Sequence, residues 1–140
     1  NLPHCLASVR GVFDETVVVD TGSVDRTREV AREHGASVFE FAWIDDFAAA
    51  RNAALGHATG DYAFWLDADD VIEPGQRGTL RALLDGLRAG DQAAYVVRCA
   101  CDPGADGTAI SGASRLSSHS SAAASCGERF SPRAAPATSA

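Results

Sequence analysis

Apolar residues along the first hundred positions alternate between two patterns: short continuous runs, typical of strands buried on both faces, and stripes with the period of an α-helix. The runs predict strands at residues 16–20, 37–41, 61–66 and 93–101. The stripes predict helices at residues 2–12, 25–34, 46–58 and 74–88. A helix therefore precedes a repeated strand and helix unit, which is the pattern of an α/β fold with a mainly parallel sheet.

Capping and turn residues bound the second and third predicted helices. Asp25 or Ser23 is placed to cap the N-terminus of the second helix, and Gly35 ends that helix. Asp45 or Asp46 is placed to cap the third helix in the same way. These polar boundaries support the alternation of strands and helices.

The composition of the chain changes near residue 110. Residues 113–140 contain eight Ser and eight Ala among 28 positions, and their only large apolar side chains are Leu116 and Phe130. Such a segment has too little apolar surface to form a core. We therefore expect one domain over residues 1–110, followed by a Ser/Ala-rich, disordered tail over residues 111–140.

The overall composition excludes several classes of protein. With 140 residues, 46% of them hydrophobic, the chain has room for one compact domain or for a part of one. It has neither a run of about 20 apolar residues nor a recognisable signal peptide, so we expect a cytoplasmic protein without a transmembrane segment. The net charge of −7 argues against nucleic acid as a partner, because such binding requires a basic surface.

Acidic side chains follow two of the predicted strands. Asp20 ends the first strand, whereas Asp67, Asp69 and Asp70 come directly after the third. Ligands of open α/β sheets bind at the carboxyl ends of parallel strands, so these are candidate binding residues. Three neighbouring carboxylates repel one another, and a divalent cation such as Mg²⁺ or Mn²⁺ would remove that repulsion. The alternative is that these acids cap the following helix, whose N-terminus carries positive charge.

Asp20 and Arg51 each have two interpretations from the residues alone. Asp20 either closes a turn at the end of the strand, in Asp-Thr-Gly-Ser, or accepts hydrogen bonds from a base or ribose. Arg51 lies among alanines on the third predicted helix, where it is either solvated or in contact with a phosphate or base. The nearby aromatic residues are expected to form core and pocket wall: Trp43, Phe47, Phe64 and Trp65.

Three segments, taken together, resemble a known family. They are VVVDTGSVDRT at residues 17–27, DDFAAARNAAL at residues 45–55 and GDYAFWLDADD at residues 60–70. In this order and spacing they resemble the nucleotide-binding half of a family 2 glycosyltransferase with the GT-A fold. The resemblance covers residues 1–101 and implies a partial, Rossmann-like α/β domain.

The resemblance also implies a reaction and a set of site residues. The donor would be a nucleotide-diphosphate sugar, with Asp20 at the base or ribose and Arg51 beside the nucleotide. Asp67 and Asp69 would be the Asp-x-Asp pair that holds Mg²⁺ or Mn²⁺ on the diphosphate, with Asp70 as a further candidate ligand. The transfer would be inverting, and the acceptor a saccharide, a lipid-linked glycan or a protein. The second segment is similar to that of bacterial members that glycosylate cell-envelope polymers or proteins.

The chain departs from the family pattern in three respects. Family members begin with a strand that would here precede Asn1, so we expect a central strand and part of the nucleotide pocket to be missing. Their general base comes from an acidic motif well downstream of the Asp-x-Asp pair, and nothing after Asp106 matches it. Asp102 and Asp106 lie too close to the fourth predicted strand to be assigned that role. The Ser/Ala-rich tail stands where acceptor-binding elements are expected.

Three alternative functions follow from the same residues. A truncated or degenerate transferase domain would bind nucleotide or a partner without turnover, since the general base is not found. An aspartic protease has the sequence motif apolar-Asp-Thr-Gly-Ser around its catalytic Asp. That site requires a strand after the turn, whereas the hydrophobic pattern of residues 24–34 has the period of a helix. A phosphatase of the haloacid dehalogenase type also has Asp-x-Asp after a buried strand, but Val71 and Ile72 stand where it requires Thr.

Overall fold

The computed structural model describes residues 1–88, 94–98 and 113–118. The helices are α1 (Leu2–Val9), α2 (Thr27–Glu33), α3 (Phe47–His57) and α4 (Pro74–Asp85). The strands are β1 (Val17–Asp20), β2 (Ser37–Glu40), β3 (Tyr62–Phe64), β4 (Ala94–Arg98) and β5 (Ala113–Ser118). From α1 to β4 these elements follow the predicted order. Within the ranges described, no helix is both long enough and apolar enough to cross a membrane.

A βαβ unit forms the N-terminal part of the fold. β1 and β2 lie side by side in parallel, with Val17 opposite Ser37 and Asp20 opposite Glu40, and α2 connects them. Parallel neighbours require a crossover of this kind because a tight turn cannot join them. α2 and α3 both contact β1. The parallel pair with its flanking helices confirms the expected partial α/β fold.

A second sheet has antiparallel pairing that the sequence pattern did not indicate. β5 lies between β3 and β4 and pairs with both in antiparallel orientation. The expected tail from residue 111 therefore has to be corrected, since residues 113–118 belong to a sheet. Backbone N–H and C=O groups make this pairing, so a strand rich in Ser can form it without a hydrophobic pattern. Residues 119–140 lie outside the described residues, and the tail stays a prediction there.

The ends of two helices show which predicted caps operate. Asp46, and not Asp45, caps α3: its Oδ1 accepts hydrogen bonds at 2.8 and 3.1 Å from two N–H groups of the first turn. Neither Asp25 nor Ser23 caps α2: its N-cap is Arg26, and no side chain caps it by a hydrogen bond. Asp25 instead accepts the N–H of Thr27 at 3.0 Å, in the turn before the helix. Gly35 follows α2 with a φ of +84°, in the left-handed region that glycine adopts without a steric penalty.

Two small hydrophobic clusters hold these elements together, and α1 contributes to both. One cluster joins α1 to α4 and the segment before it: Val9, Val12, Ile72 and Leu80. The other joins α1 to α2 and the turn that follows it: Leu6, Ala31 and Ala36. Because Leu6 and Val9 lie on one short helix, α1 ties the βαβ unit to the segment that follows β3.

β1 is less buried than its run of β-branched residues predicts. A strand of this composition is expected to be covered on both faces, yet Val17, Val18 and Val19 are only partly buried and Asp20 alone is fully buried. The same three valines line a cavity. Their exposure therefore results from open space beside the strand.

Candidate functional site

The cavity beside β1 has a volume of about 730 Å³. β1 and β3 both line it, and α1 and α3 contribute Leu6, Ala54 and Leu55 to its apolar wall. Thr21 and Asp67, which follow the two strands, line it as well. In α/β sheets the carboxyl ends of the strands are the usual place for a ligand, and a concave apolar site with a few polar groups suits one.

Two of the predicted site residues, Arg51 and Asp67, meet in this cavity. Nη2 of Arg51 donates a hydrogen bond to Oδ1 of Asp67 at 3.3 Å, although the residues lie 16 positions apart in the chain. Their side chains remain 41% and 70% exposed. An accessible guanidinium can bind a phosphate and an accessible carboxylate can bind a metal ion, so the pair can receive a ligand that carries both.

The segment that carries Asp67 is closed on itself as a turn. The N–H of Asp70 donates to the carbonyl of Asp67 at 3.0 Å, and the N–H of Asp67 donates to Oδ2 of Asp70 at 3.2 Å. Asp70 therefore shapes the turn that presents Asp67. The alternative that these acids cap α4 is not supported, because the N-cap of α4 is Glu73 and no side chain caps it by a hydrogen bond.

Two buried side chains of α1 hold this turn in place. Sγ of Cys5 donates to the carbonyl of Asp67 at 3.5 Å. Oγ of Ser8 donates to the carbonyl of Cys5 at 2.7 Å and accepts the N–H of Ile72 at 3.0 Å, in a position that is 1% exposed. The sequence pattern did not indicate a role for Ser8. Ser8 lies one helical turn from Cys5 on the buried face of α1, where a hydroxyl group requires a hydrogen-bond partner. That position could have indicated its role.

The acidic turn also affects the thiol beneath it. Burial is the largest cause that raises the pKa of Cys5, and the negative charges of Asp70, Asp69 and Asp67 raise it further. The thiol therefore stays protonated at neutral pH and remains a donor to the turn. Because the negative charges of all three carboxylates reach the same thiol, a positive charge at this turn would be electrostatically favoured.

Asp20 has a local structural role. Its two carboxylate oxygens accept the N–H of Ser23 at 3.2 and 3.1 Å, and Nε of Arg28 lies 3.8 Å from Oδ2. Arg28 also pairs with Glu40 on β2. The turn includes Gly22, whose φ of +117° suits glycine. Asp20 does not line the cavity, whereas the adjacent Thr21 does. The structure thus accounts for Asp20 as a turn residue, and its nucleotide contact stays a prediction.

The predicted metal ligands fit a cation only with help from a substrate. In the described part of the chain, no three His, Cys, Asp or Glu side chains are grouped so that they could hold a metal ion. Asp70 is directed to the backbone of Asp67, which explains why the trio with Asp69 is not a preformed centre. Mg²⁺ commonly takes one or two protein carboxylates and completes its shell with water and phosphate oxygens. Asp67 and Asp69 are exposed and meet that smaller requirement.

The aromatic residues line the cavity as predicted, but two of them are wrongly assigned to the core. Trp43, Phe47, Phe64 and Trp65 all contribute to the cavity wall. Phe64 is partly buried and stacks on Phe13 with ring centroids 5.1 Å apart. Phe47 is 75% exposed and Trp43 40% exposed, because they lie at the start of α3 and in the loop before it, with little packed over them.

Two predictions remain, the position of the general base and the alternative of an aspartic protease. Asp102 and Asp106 lie outside the described residues, and the general base stays unassigned. The protease alternative is not supported by residues 21–34, where the turn after Asp20 leads into α2 and not into a strand.

Comparison with known proteins places these residues in a family. The sequence model of glycosyl transferase family 2 matches residues 1–114. A TPR repeat-containing protein of Synechococcus elongatus is 50% identical over 84 residues, which are 60% of this chain and 21% of that protein. The glycosyltransferase SunS of Bacillus subtilis is 32% identical over 82 residues, which are 56% of this chain and 19% of that protein. The chain thus spans about a fifth of the length of these relatives. It belongs to glycosyl transferase family 2.

Proposed function

We propose that this chain is the donor-binding part of a glycosyltransferase that uses a nucleotide-diphosphate sugar. The contact between Arg51 and Asp67 in the cavity carries the proposal, in a chain that belongs to glycosyl transferase family 2. A diphosphate with its cation presents both signs of charge. The two exposed side chains can exchange their mutual contact for one each with such a donor.

Each predicted residue has a distinct role in this proposal. Arg51 would bind the diphosphate through its planar guanidinium, which matches two phosphate oxygens. Asp67 and Asp69 would hold Mg²⁺ or Mn²⁺, which supplies positive charge where the leaving group becomes negative. Asp70 would keep Asp67 in position through the closed turn. Asp20 would bind the base or ribose, since a carboxylate that accepts the Ser23 N–H retains further acceptor capacity.

The proposed reaction is a direct displacement at the anomeric carbon. An acceptor hydroxyl oxygen forms a bond to that carbon, while the bond to the diphosphate breaks and its electron pair leaves with the phosphate. Attack from the opposite face inverts the configuration. Arg51 stabilises the charge that develops on the leaving diphosphate, and such electrostatic stabilisation is a large part of catalysis. The hydroxyl proton passes to a general base that the described residues do not identify.

The acceptor and the cellular setting are the finer part of the proposal. We expect a saccharide, a lipid-linked glycan or a protein as acceptor, in the cytoplasmic synthesis of bacterial cell-envelope material or glycoconjugates. A second candidate is a domain that binds the donor without turnover, because the general base is not assigned among the residues that the structure describes. Transfer of radiolabelled sugar separates the two, since both bind the donor and only the first forms product.

A thermal-shift experiment tests donor binding. The melting temperature of the chain is measured with UDP-, GDP- and dTDP-hexoses, each with Mn²⁺ and with EDTA. We expect a rise for one nucleotide class that requires Mn²⁺ and is lost in Asp67→Asn. Glu29→Gln is the matched control, because Glu29 is an exposed acid on α2 that does not line the cavity. A rise in melting temperature that survives in Asp67→Asn would contradict the proposal. The absence of a rise with every nucleotide sugar tested would contradict it as well.

A further inference from the structure

An exposed apolar surface borders the cavity at the start of α3. It consists of Trp43, Ile44 and Phe47, which are 40%, 60% and 75% exposed. We call these three residues the aromatic ledge. The Trp43 and Phe47 rings meet edge to face, with centroids 4.8 Å apart and an interplanar angle of 69°. Side chains of this size are normally covered, so their exposure next to a polar site requires an explanation.

The backbone of the ledge is held in a specific and costly conformation. Asp45 has a φ of +56°, which is left-handed and costs a residue other than glycine about 1–2 kcal/mol. Its Oδ1 accepts the indole N–H of Trp43 at 2.8 Å. Asp46 caps α3 through its own Oδ1. These contacts fix the orientation of the Trp43 ring while leaving it exposed, and strain of this kind is concentrated at functional sites.

The ledge is continuous with the proposed donor site. Trp43 and Phe47 line the same cavity as Arg51 and Asp67. Phe47 and Arg51 also lie one helical turn apart on the same side of α3. A molecule bound on the ledge would therefore extend towards the pair assigned to the diphosphate.

We propose that the aromatic ledge binds the pyranose ring of a saccharide acceptor. This inference rests on the proposed function and adds a substrate class and the residues that select it. One face of a pyranose carries C–H groups that pack on an aromatic ring, while its equatorial hydroxyls point outward. Here those hydroxyls would reach the carboxylates of Asp45 and Asp46, which are exposed at the rim and retain acceptor capacity. An acidic rim suits a neutral polyol and disfavours a phospholipid headgroup.

Intrinsic fluorescence gives a direct test, because Trp43 and Trp65 are the two tryptophans of the chain. In Trp65→Phe the emission reports on Trp43 alone. The probes are maltose, cellobiose, chitobiose and lactose, each titrated without donor, and dodecylphosphocholine as the lipid-like comparison. We expect a saturable change in Trp43 emission with at least one disaccharide. Phe47→Ala should raise the dissociation constant of that disaccharide at least about tenfold, which corresponds to 1.4 kcal/mol.

Controls separate this proposal from loss of fold and from failure of the donor site. Val24→Ala, at a fully exposed valine outside the cavity, should leave the dissociation constant unchanged. Phe47→Leu tests the ring if Phe47→Ala does not fold. Trp43→Ala should lose saccharide binding, measured by saturation-transfer NMR. No binding of any disaccharide, binding of the detergent alone, or a dimer that covers Trp43 would overturn the acceptor proposal. A retained nucleotide-sugar shift would then leave the donor proposal intact.

Discussion

Arg51 and Asp67 form an accessible ion pair that joins α3 to the segment after β3, with 3.3 Å between Nη2 and Oδ1. Exposed pairs of this kind contribute at most about 1 kcal/mol to folding, because solvent screens the charges and the side chains lose freedom. The pair therefore does little to stabilise the fold. Its position in the cavity suits the proposed donor, which would take the place of the internal contact.

Replacing Arg51 should separate binding from stability. We expect Arg51→Ala to change the free energy of unfolding by less than about 1 kcal/mol and to weaken nucleotide-sugar binding by tenfold or more, the loss of one charged hydrogen bond. Arg51→Lys should recover part of the affinity, since it keeps the charge and loses the planar pair of donors. Urea titration and calorimetry measure the two quantities. Unchanged affinity in Arg51→Ala would remove Arg51 from the site.

Asp20, unlike Arg51, is expected to contribute strongly to the stability of the fold. It is 5% exposed and accepts the Ser23 N–H with both oxygens, so Asp20→Ala leaves a partly buried donor unpaired and Arg28 with one partner fewer. We predict a loss of about 1–3 kcal/mol in the free energy of unfolding. Glu40→Gln, at the exposed partner of Arg28, should cost less than about 1 kcal/mol. Equal losses in the two variants, read from urea denaturation, would contradict the turn role of Asp20.

The hydroxyl of Ser8 should stabilise the acidic turn from below. Ser8→Ala removes the acceptor of the Ile72 N–H in a fully buried position, with an expected cost of about 1–3 kcal/mol. Amide hydrogen exchange should show faster exchange at Ile72. Ser23→Ala is the comparison, because the hydrogen bond from Ser23 to Asp20 uses the backbone N–H, which alanine keeps. Unchanged exchange at Ile72 in Ser8→Ala would show that α1 does not hold this segment.

The raised pKa of Cys5 gives a pH dependence with a definite sign. Burial, with the charges of Asp70, Asp69 and Asp67, favours the protonated thiol in the folded chain. The unfolded chain ionises first as pH rises above about 8.5, so the free energy of unfolding should fall from there until the folded thiol also ionises. Cys5→Ala should show a smaller decline between pH 8.5 and 10. If urea titrations give wild type and Cys5→Ala the same slope, the thiol is not the group responsible.

The sequence was informative wherever local chemistry decides the structure. Val17–Asp20 is a strand because of its β-branched run, Asp46 caps α3 because its carboxylate reaches two free N–H groups, and Gly35 ends α2 because it tolerates a positive φ. The family segments also indicated Arg51 and Asp67 as candidate site residues, and the structure shows that the two side chains are in contact. Those features depend on residues close in the chain or on a motif that carries its own spacing.

Features that depend on contacts between residues far apart in the chain could not be predicted from the sequence. Strand β5 pairs through its backbone, so its Ser-rich sequence gave no hydrophobic signal. Phe47 was expected in the core or the pocket wall because of its residue type, yet nothing in the sequence shows that it would be 75% exposed at the start of α3. Ser8 gained its importance from Ile72, 64 residues away. The carboxylate of Asp70 similarly accepts the N–H of Asp67, a contact that the spacing of the acidic residues alone does not indicate.

The most direct test of the account is the affinity of the chain for a nucleotide-diphosphate sugar with and without a cation. Isothermal titration calorimetry with UDP-, GDP- and dTDP-hexoses should detect binding for one class in Mn²⁺ and no binding in EDTA. Asp67→Asn should lose the Mn²⁺ dependence, whereas Glu29→Gln should match wild type. Binding that is equally strong in EDTA, or that Asp67→Asn leaves unchanged, would contradict a metal-assisted donor site at Arg51 and Asp67.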